Sequence, residues 1–192
     1  YPGKLFLISA PSGAGKTTLM HHVLGRLAPT YALERVITYT TKQPRPGERQ
    51  GIDYHFLERD AFLAKIEEGF FVEHSTAYGC YYGFPLTVFE DLVNGRNFIA
   101  IVDVAGAEAI KAYYAGTICI GVRPPSAETL SHRLTTRGED SSADIAFRLN
   151  LAQQELEQLQ NDRFNYLLIN DDLIEAVEQL ADIIRRELTH IS

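Results

Sequence analysis

A glycine-rich loop between a short apolar segment and a helix is the feature that most constrains this chain. The segment Lys4–Ser9 is largely apolar, too short for a helix, and followed closely by Pro11, a pattern typical of a buried strand in a parallel sheet. A helix is predicted from about Lys16 to Leu27, ended by Pro29. A strand, a tight loop and a helix in this order are the context of a phosphate-binding loop.

The loop matches G-x-x-x-x-G-K-[ST], in which backbone N–H groups converge on phosphate oxygens at a helix N-terminus. Ala10 replaces the first glycine, and Pro11 favours extended geometry there, which alanine tolerates at negative φ. In this pattern Lys16 reaches the β- and γ-phosphates of a bound nucleotide and the Thr17 hydroxyl binds Mg²⁺. The strand and helix on either side argue against the alternative, a solvated surface lysine. The predicted nucleotide-phosphate loop, which becomes the ATP-binding loop if the resemblance described below holds, comprises Ala10, Pro11, Ser12, Gly13, Ala14, Gly15, Lys16, Thr17 and Thr18.

Strands and helices alternate along most of the chain, which predicts an α/β fold with a mostly parallel sheet. Between about Val36 and Phe89, clustered aromatic residues surround a helix at Asp60–Glu68, closed by Gly69, and indicate a small α+β insertion. A second interruption runs from Arg123 to about residue 144. Further strands are predicted at 98–103, 117–122 and 166–169, and further helices at about 105–114, 127–136, 144–159 and 172–190.

Composition narrows the possible partners and location. The 192 residues suit one domain. Eighteen lysines and arginines against 25 aspartates and glutamates give a net charge of −7, which argues against nucleic acid or an anionic membrane as partner. Cys80 and Cys119 cannot build a disulfide framework. Without an apolar run of about 18–20 residues or a visible secretory signal, we expect a cytoplasmic protein.

The segment Thr40–Glu48, T-T-K-Q-P-R-P-G-E, resembles the T-T-R-x-P-R-x-G-E signature of guanylate kinases. Further matches follow the family's order and spacing over nearly the whole chain. They are the phosphate loop, Val72–His74, Tyr81–Gly83, Pro124–Ser126, Arg133–Asp140 and Asn170–Asp172.

The resemblance implies a nucleotide kinase that transfers the γ-phosphoryl group of ATP to GMP, and to dGMP, with Mg²⁺ as cofactor. It implies one domain over residues 1–192, with a parallel-sheet P-loop NTPase core, a small α+β NMP-binding insertion and a helical lid. The expected core comprises residues 1–35, 90–122 and 156–192, the insertion 36–89 and the lid 123–155. ATP and GMP are the expected partners, and the oligomeric state is left open.

The resemblance also implies which residues bind GMP. Two cations three residues apart in a proline-stiffened loop, Lys42 and Arg45, form an anion clamp for its phosphate, although Lys42 lacks the bidentate fork of the family's arginine. The phenol hydroxyls of Tyr54 and Tyr82 are implied as further donors of this clamp. Without the other motifs, the basic segment is an ordinary solvated loop, and each of the two tyrosines is an ordinary core or sheet-face aromatic. The implied GMP-binding residues are Thr38, Lys42, Arg45, Glu48, Tyr54, Glu73, Tyr82 and Asp103.

Glu73 is the implied reader of guanine, because a carboxylate accepts hydrogen bonds from both N1–H and the exocyclic N2–H₂. Thr38 is expected to donate to the base oxygen. Without the resemblance, Glu73 is a surface carboxylate on a strand. Two positions depart from the family: Phe84 stands where it usually has Ser or Thr, and Ile101 where it has the first Asp of an Asp-x-Asp pair. Both departures remove polar groups near GMP.

Lys16, Arg133, Arg137 and Arg148 are the implied catalytic residues. Arg133 and Arg137 lie four residues apart on a predicted helix and share a face, and phosphoryl transfer needs positive charge on the equatorial oxygens. A salt-bridged basic helix face is the alternative for these arginines. Thr17 and Asp103 are expected to bind Mg²⁺, the latter through water.

Asn170 is the implied adenine contact, and an N-terminal cap of the last helix together with Asp171 is its competing role. For the chain as a whole, the alternative to an enzyme is a catalytically inactive guanylate-kinase-like interaction module. Such modules commonly have damaged phosphate loops, whereas Gly13, Gly15 and Lys16 are intact here. A kinase for another nucleoside monophosphate is a third reading, which the Thr40–Glu48 segment disfavours.

Overall fold

The computed structural model describes residues 2–11, 13–77, 79–136, 142–159 and 164–189. In chain order its elements are β1 (Leu5–Ser9), α1 (Lys16–Tyr31), β2 (Leu33–Arg35), β3 (Tyr39–Thr40), β4 (His55–Phe56), α2 (Arg59–Glu67), β5 (Phe71–Ala77), β6 (Cys80–Pro85), α3 (Val88–Val93), β7 (Asn97–Ile101), α4 (Val104–Tyr113), β8 (Thr117–Arg123), α5 (Ala127–Thr136), α6 (Ser142–Gln158), β9 (Tyr166–Ile169) and α7 (Leu173–Thr189).

The core is a parallel sheet with the order β2-β7-β1-β8-β9. Every residue of β1 is buried, as its apolar sequence predicts for a strand covered on both faces. One apolar cluster joins the sheet to α1 and α7, and the other joins it to α3 and α4. The predicted α/β fold with a parallel sheet is therefore confirmed.

The predicted end of α1 at Pro29 is wrong. The helix continues through Pro29 to Tyr31 and ends at Ala32, which has a left-handed backbone with φ 48°. A proline in a helix removes one backbone hydrogen bond, but here tertiary contacts hold the last turn. The Asn97 side-chain amide donates to the Tyr31 carbonyl at 3.2 Å, and the Tyr31 ring packs against the core.

The insertion contains a second sheet with the order β4-β3-β6-β5. Strands β3 and β4 are parallel, and the other two pairings are antiparallel. Its aromatic residues pack together, with the Phe62 ring stacked on Phe71 at 4.7 Å and on Tyr81 at 5.4 Å. An α+β insertion on a parallel core is thus present, while the limits assigned to core, insertion and lid stay a prediction.

The helices after β8 follow the sequence pattern closely. Helix α5 has the predicted bounds, and its buried Leu130 packs near Ala152 of α6. Helix α7 buries Val177, Leu180 and Ile184, which recur at helical spacing on one face, whereas Leu173 at its start is exposed. Within the described ranges, no helix is long and apolar enough to cross a membrane.

Gly83 provides a stability test for the second sheet. A Cβ atom at this position would lie 2.7 Å from the Phe71 ring and 3.0 Å from the Phe62 ring. We expect Gly83→Ala to lower the free energy of unfolding by about 1–3 kcal/mol through overpacking. Gly25→Ala is the control, because no such neighbour lies within 4 Å there; we expect it to stabilise α1 by about 0.5–1 kcal/mol. Equal effects of the two changes in urea denaturation would contradict this prediction.

Candidate active site

A cavity of about 270 Å³ lies between the carboxyl edge of the core sheet and the second sheet. Phosphate-loop residues line one side of it, and all eight predicted GMP-binding residues line it as well. Segments far apart in sequence thus share one cleft. The predicted residues that line the cavity are Ala10, Gly13, Gly15, Lys16, Thr17, Thr18, Thr38, Lys42, Arg45, Glu48, Tyr54, Glu73, Tyr82 and Asp103.

The phosphate loop has the backbone geometry that its glycines allow. Gly13 and Gly15 have φ values of 85° and 87°, whereas Ala10 avoids positive φ, as expected with Pro11 after it. Gly15 is needed for a second reason, because a Cβ atom there would lie 2.5 Å from the Asn170 side-chain nitrogen. Ser12 of the predicted loop lies outside the described residues.

The Lys16 ammonium group folds back over the loop. Its Nζ atom donates to the carbonyl oxygens of Ala10 at 2.5 Å and Pro11 at 3.2 Å. Helix α1 begins at Lys16, so the positive end of its dipole and the lysine charge coincide. The first turn contains no acidic residue. The positive end of the helix dipole, together with the lysine charge, therefore suits the binding of phosphate oxygens.

Glu48 organises the predicted phosphate clamp. Lys42 Nζ lies 2.6 Å from both carboxylate oxygens of Glu48, and the backbone N–H of Arg45 donates to Glu48 Oε2 at 2.8 Å. The Lys42 ammonium also lies 4.7 Å from the Tyr54 ring centroid, within cation–π range. Lys42 is mostly buried and ion-paired, unlike a lysine of an ordinary solvated loop.

Tyr54 and Tyr82 approach each other in the cavity, with ring centroids 6.4 Å apart. Burial raises the pKa of both phenols, that of Tyr82 to about 12. Both side chains therefore remain neutral at physiological pH and can donate hydrogen bonds to an anion.

An ion pair that the sequence did not predict supports the clamp. Arg35 on β2 donates to the Asp53 backbone carbonyl at 2.6 Å and to its carboxylate at 3.3 Å. The other Asp53 carboxylate oxygen accepts from the Arg49 backbone N–H at 2.8 Å. The turn before Tyr54 is thereby tied to the core sheet. These residues form no periodic pattern or known motif, so no signal in the sequence could have identified the pair.

Glu73 and Asp103 meet beside the N-terminus of α4. A Cβ atom at Gly106 would lie 3.0 Å from Glu73 Oε2 and 3.1 Å from Asp103 Oδ1, so both carboxylates occupy the space that this glycine leaves. Burial, followed by the neighbouring Asp103 charge, raises the pKa of Glu73 to about 7. Asp103 Oδ1 also accepts from the Gly106 backbone N–H at 2.6 Å. It therefore caps α4, a role that sequence reasoning missed.

The two departures from the family pattern both face the cavity. Phe84 and Ile101 line it beside the carboxylates, and the Phe84 ring is almost fully buried at 1% exposure against Phe89. This part of the wall is therefore apolar where the family pattern has polar side chains.

Another cavity, of about 440 Å³, also borders the phosphate loop and is lined by Arg133 and Asn170 among others. The Asn170 amide donates to the Ala14 carbonyl at 2.8 Å, and Arg133 donates to the Asn170 carbonyl at 3.2 Å. The capping role considered for Asn170 with Asp171 is wrong, because Asp172 Oδ1 accepts the Glu175 N–H at the start of α7.

Two predicted lid arginines cannot be placed in the site. Arg137 lies outside the described residues, as does the side chain of Arg148 on α6. Their catalytic roles stay predictions.

The metal prediction depends on two oxygen donors. Thr17 and Asp103 line the same cavity as Lys16, and hydroxyl and carboxylate oxygens suit Mg²⁺, which keeps several waters and binds substrate phosphates. Within the described ranges, no group of three or more His, Cys, Asp or Glu side chains could hold a metal alone. The residues therefore fit a metal that arrives with a nucleotide.

Comparisons with known proteins find relatives over nearly the whole chain. The guanylate kinase family model matches residues 2–187. The guanylate kinase of Nitrosospira multiformis is 41% identical over 187 residues, covering 97% of this chain and 87% of the relative. That of Methylobacillus flagellatus is 39% identical over 186 residues, covering 96% and 90%.

A solved structure gives the same result at the level of the fold. The crystal structure of guanylate kinase from Anaplasma phagocytophilum superposes with a TM-score of 0.77 at 26% identity, covering 98% of this chain and 87% of that one. The family match extends over the core, the insertion and the helices after β8. This chain therefore belongs to the guanylate kinase family.

Proposed function

We propose that this chain transfers the γ-phosphoryl group of ATP to GMP, and to dGMP, giving ADP and the nucleoside diphosphate. One observation carries the proposal: a single cavity brings Lys16 of the phosphate loop together with Arg45 and Glu73 of the insertion. Donor and acceptor nucleotides bound to these groups would meet in one cleft. Family membership over nearly the full chain supports the same reaction.

The donor side would hold ATP by its phosphates and its base. Backbone N–H groups at the start of α1 and the Lys16 ammonium face the β- and γ-phosphates. The cavity beside Asn170 and Arg133 would take the adenosine end. The close contact between Asn170 and Gly15 would keep these two subsites in register.

The acceptor side would hold GMP at two separate ends. Arg45 and Lys42, with the neutral phenols of Tyr54 and Tyr82, would bind its phosphate. Glu73 would accept from N1–H and N2–H₂ of guanine. Positive groups thus lie at the phosphate end, and the carboxylates gather near the base.

Transfer forms a bond between an acceptor phosphate oxygen and the γ-phosphorus and breaks the bond to the bridging β,γ-oxygen of ATP. The attacking oxygen is already anionic, so the protein needs no general base. Its task is to align the reactants and place positive charge on the equatorial oxygens. Lys16 and the lid arginines Arg133, Arg137 and Arg148 would supply that charge. Thr17 and Asp103 would hold Mg²⁺, which neutralises phosphate charge when bound.

The inactive interaction module is not favoured, because Gly13, Gly15 and Lys16 keep the geometry and charge of a working phosphate loop. A coupled ADP-release assay with ATP and each nucleoside monophosphate in turn tests the function directly. We expect GMP to be the best acceptor, and ATP and GMP to be the partners of a cytoplasmic enzyme. Absence of ADP release with GMP would overturn the proposal.

Lys16 offers the first mutational prediction. Lys16→Met removes an ammonium group that would act on the transferring phosphate, so we expect kcat to fall by about 10²-fold or more. The free energy of unfolding should change little, since Lys16 lines the cavity and is not among the buried residues of the apolar core. Lys111→Met, on α4 outside the cavity, is the matched control and should leave kcat unchanged. Near-normal turnover of folded Lys16→Met would refute the assignment of the phosphate loop.

Glu73 is expected to set the preference for guanine over adenine. AMP would present the lone pair of its N1 to the carboxylate, a mismatch that such sites convert into about 10⁴–10⁵-fold discrimination. Glu73→Gln should cost GMP about 2–4 kcal/mol in kcat/KM and cost AMP far less. Glu67→Gln, on the exposed face of α2, is the control. If kcat/KM for GMP and AMP falls by the same factor, guanine is read elsewhere.

The pKa of about 7 for Glu73 predicts a pH dependence. Below that value the free protein holds a protonated carboxyl group, which cannot accept from both guanine donors. We therefore expect kcat/KM for GMP to decrease as the pH is lowered from about 8 to about 6. In Glu73→Gln this inflection should disappear, because the amide does not titrate. An inflection of unchanged position and size in that variant would show that another group controls the profile.

A further inference from the structure

Strand β5 presents alternate side chains to the cavity. Glu73, Ser75 and Ala77 line it, whereas His74 and Thr76 are exposed. Side chains two apart on a strand are separated by about 7 Å along one face. Ser75 therefore lies one step along the cavity wall from the carboxylate proposed to read guanine.

Ser75 also lies opposite the phosphate clamp. Its register partner on β6 is Tyr82, and Glu73 is the register partner of Phe84. Along the two paired strands, Glu73, the proposed reader of the base, is paired with the apolar Phe84. The next pair facing the cavity is Ser75 and Tyr82, a tyrosine of the phosphate clamp. A nucleoside monophosphate has its ribose between base and phosphate. A nucleotide that spans from Glu73 to Tyr82 would place its ribose beside Ser75.

The Ser75 hydroxyl is available for a ligand. Among the residues that the structure describes, it makes no hydrogen bond to the protein. Of the cavity-lining residues on β5 and β6, Ser75 has the polar side chain that the proposed mechanism leaves unused, since Ala77, Gly83 and Phe84 have none. A hydroxyl both donates and accepts, which matches the chemistry of a ribose hydroxyl.

We propose that the Ser75 hydroxyl hydrogen-bonds a ribose hydroxyl of the acceptor nucleotide and gives the site a modest preference for ribonucleotides. The inference deepens the proposed function and rests on it, because Glu73 and Tyr82 fix the two ends of the acceptor. A single neutral hydrogen bond changes kcat/KM by about three- to tenfold. Deoxy acceptors therefore remain substrates, and their use is reduced rather than abolished.

The experiment combines a protein change with a ligand change, as in a double-mutant cycle. kcat/KM is measured with ATP for GMP, 2′-deoxy-GMP and 3′-deoxy-GMP in wild type, Ser75→Ala and Thr76→Ala. We expect wild type to prefer GMP about three- to tenfold over at least one deoxy analogue. In Ser75→Ala, kcat/KM should decrease for GMP and stay unchanged for the deoxy analogues, so that the preference is lost. Thr76→Ala, on the exposed face of the same strand, should match wild type throughout.

Several outcomes would overturn the proposal. Equal use of all three acceptors by wild type would do so without any variant. The same holds if Ser75→Ala keeps the wild-type ratios, whether its rates are unchanged or fall equally for every acceptor. Failure of the proposed function looks different, because wild type would then release no ADP with GMP, and the role of Ser75 would fall with it.

Discussion

The pairing of β1 with parallel strands on both sides is the constraint on which the site depends. Because β7 and β8 run in the same direction as β1, the residues that follow all three strands lie at one edge of the sheet. The phosphate loop, Asp103 and the segment after Arg123 are therefore neighbours despite their distance in sequence. The start of α1 also lies there, which concentrates backbone N–H groups and positive charge where a triphosphate can bind.

Each side of the cleft is held by residues with no assigned contact to a reacting atom. On the donor side, Asn170 joins three parts: its amide bonds the phosphate loop, its N–H bonds the Arg123 carbonyl at 2.8 Å, and its carbonyl accepts from Arg133. On the acceptor side, Glu48 fixes Lys42, and Arg35 fixes the turn before Tyr54. These contacts hold the charged groups in fixed positions, and electrostatic catalysis requires such preorganised charges.

Local sequence patterns were sufficient to predict those helices and strands that depend mainly on their own residues. The strand at Tyr166–Ile169 and the helix at Ala127–Thr136 have their predicted bounds. Features that depend on distant partners could not be found this way. Helix α1 passes Pro29 because Asn97 and the core hold its last turn, and β2 is too short to leave a pattern. The resemblance named Glu73 and Asp103, but only the fold shows that they share one space beside Gly106.

The placement of Glu73 and Asp103 beside Gly106 explains how the proposed site can recognise the acceptor's phosphate and its base separately. A carboxylate near the acceptor phosphate would repel it, whereas Glu48, the acidic residue in the clamp, is neutralised by Lys42. Glu73 and Asp103 instead lie together beside the apolar Phe84 and Ile101. Burial there disfavours the charged form of Glu73. A ligand that donates two N–H groups to this carboxylate would stabilise its charged form and offset the desolvation. Guanine meets that requirement and adenine does not, which makes the desolvated carboxylate a source of selectivity as well as of affinity.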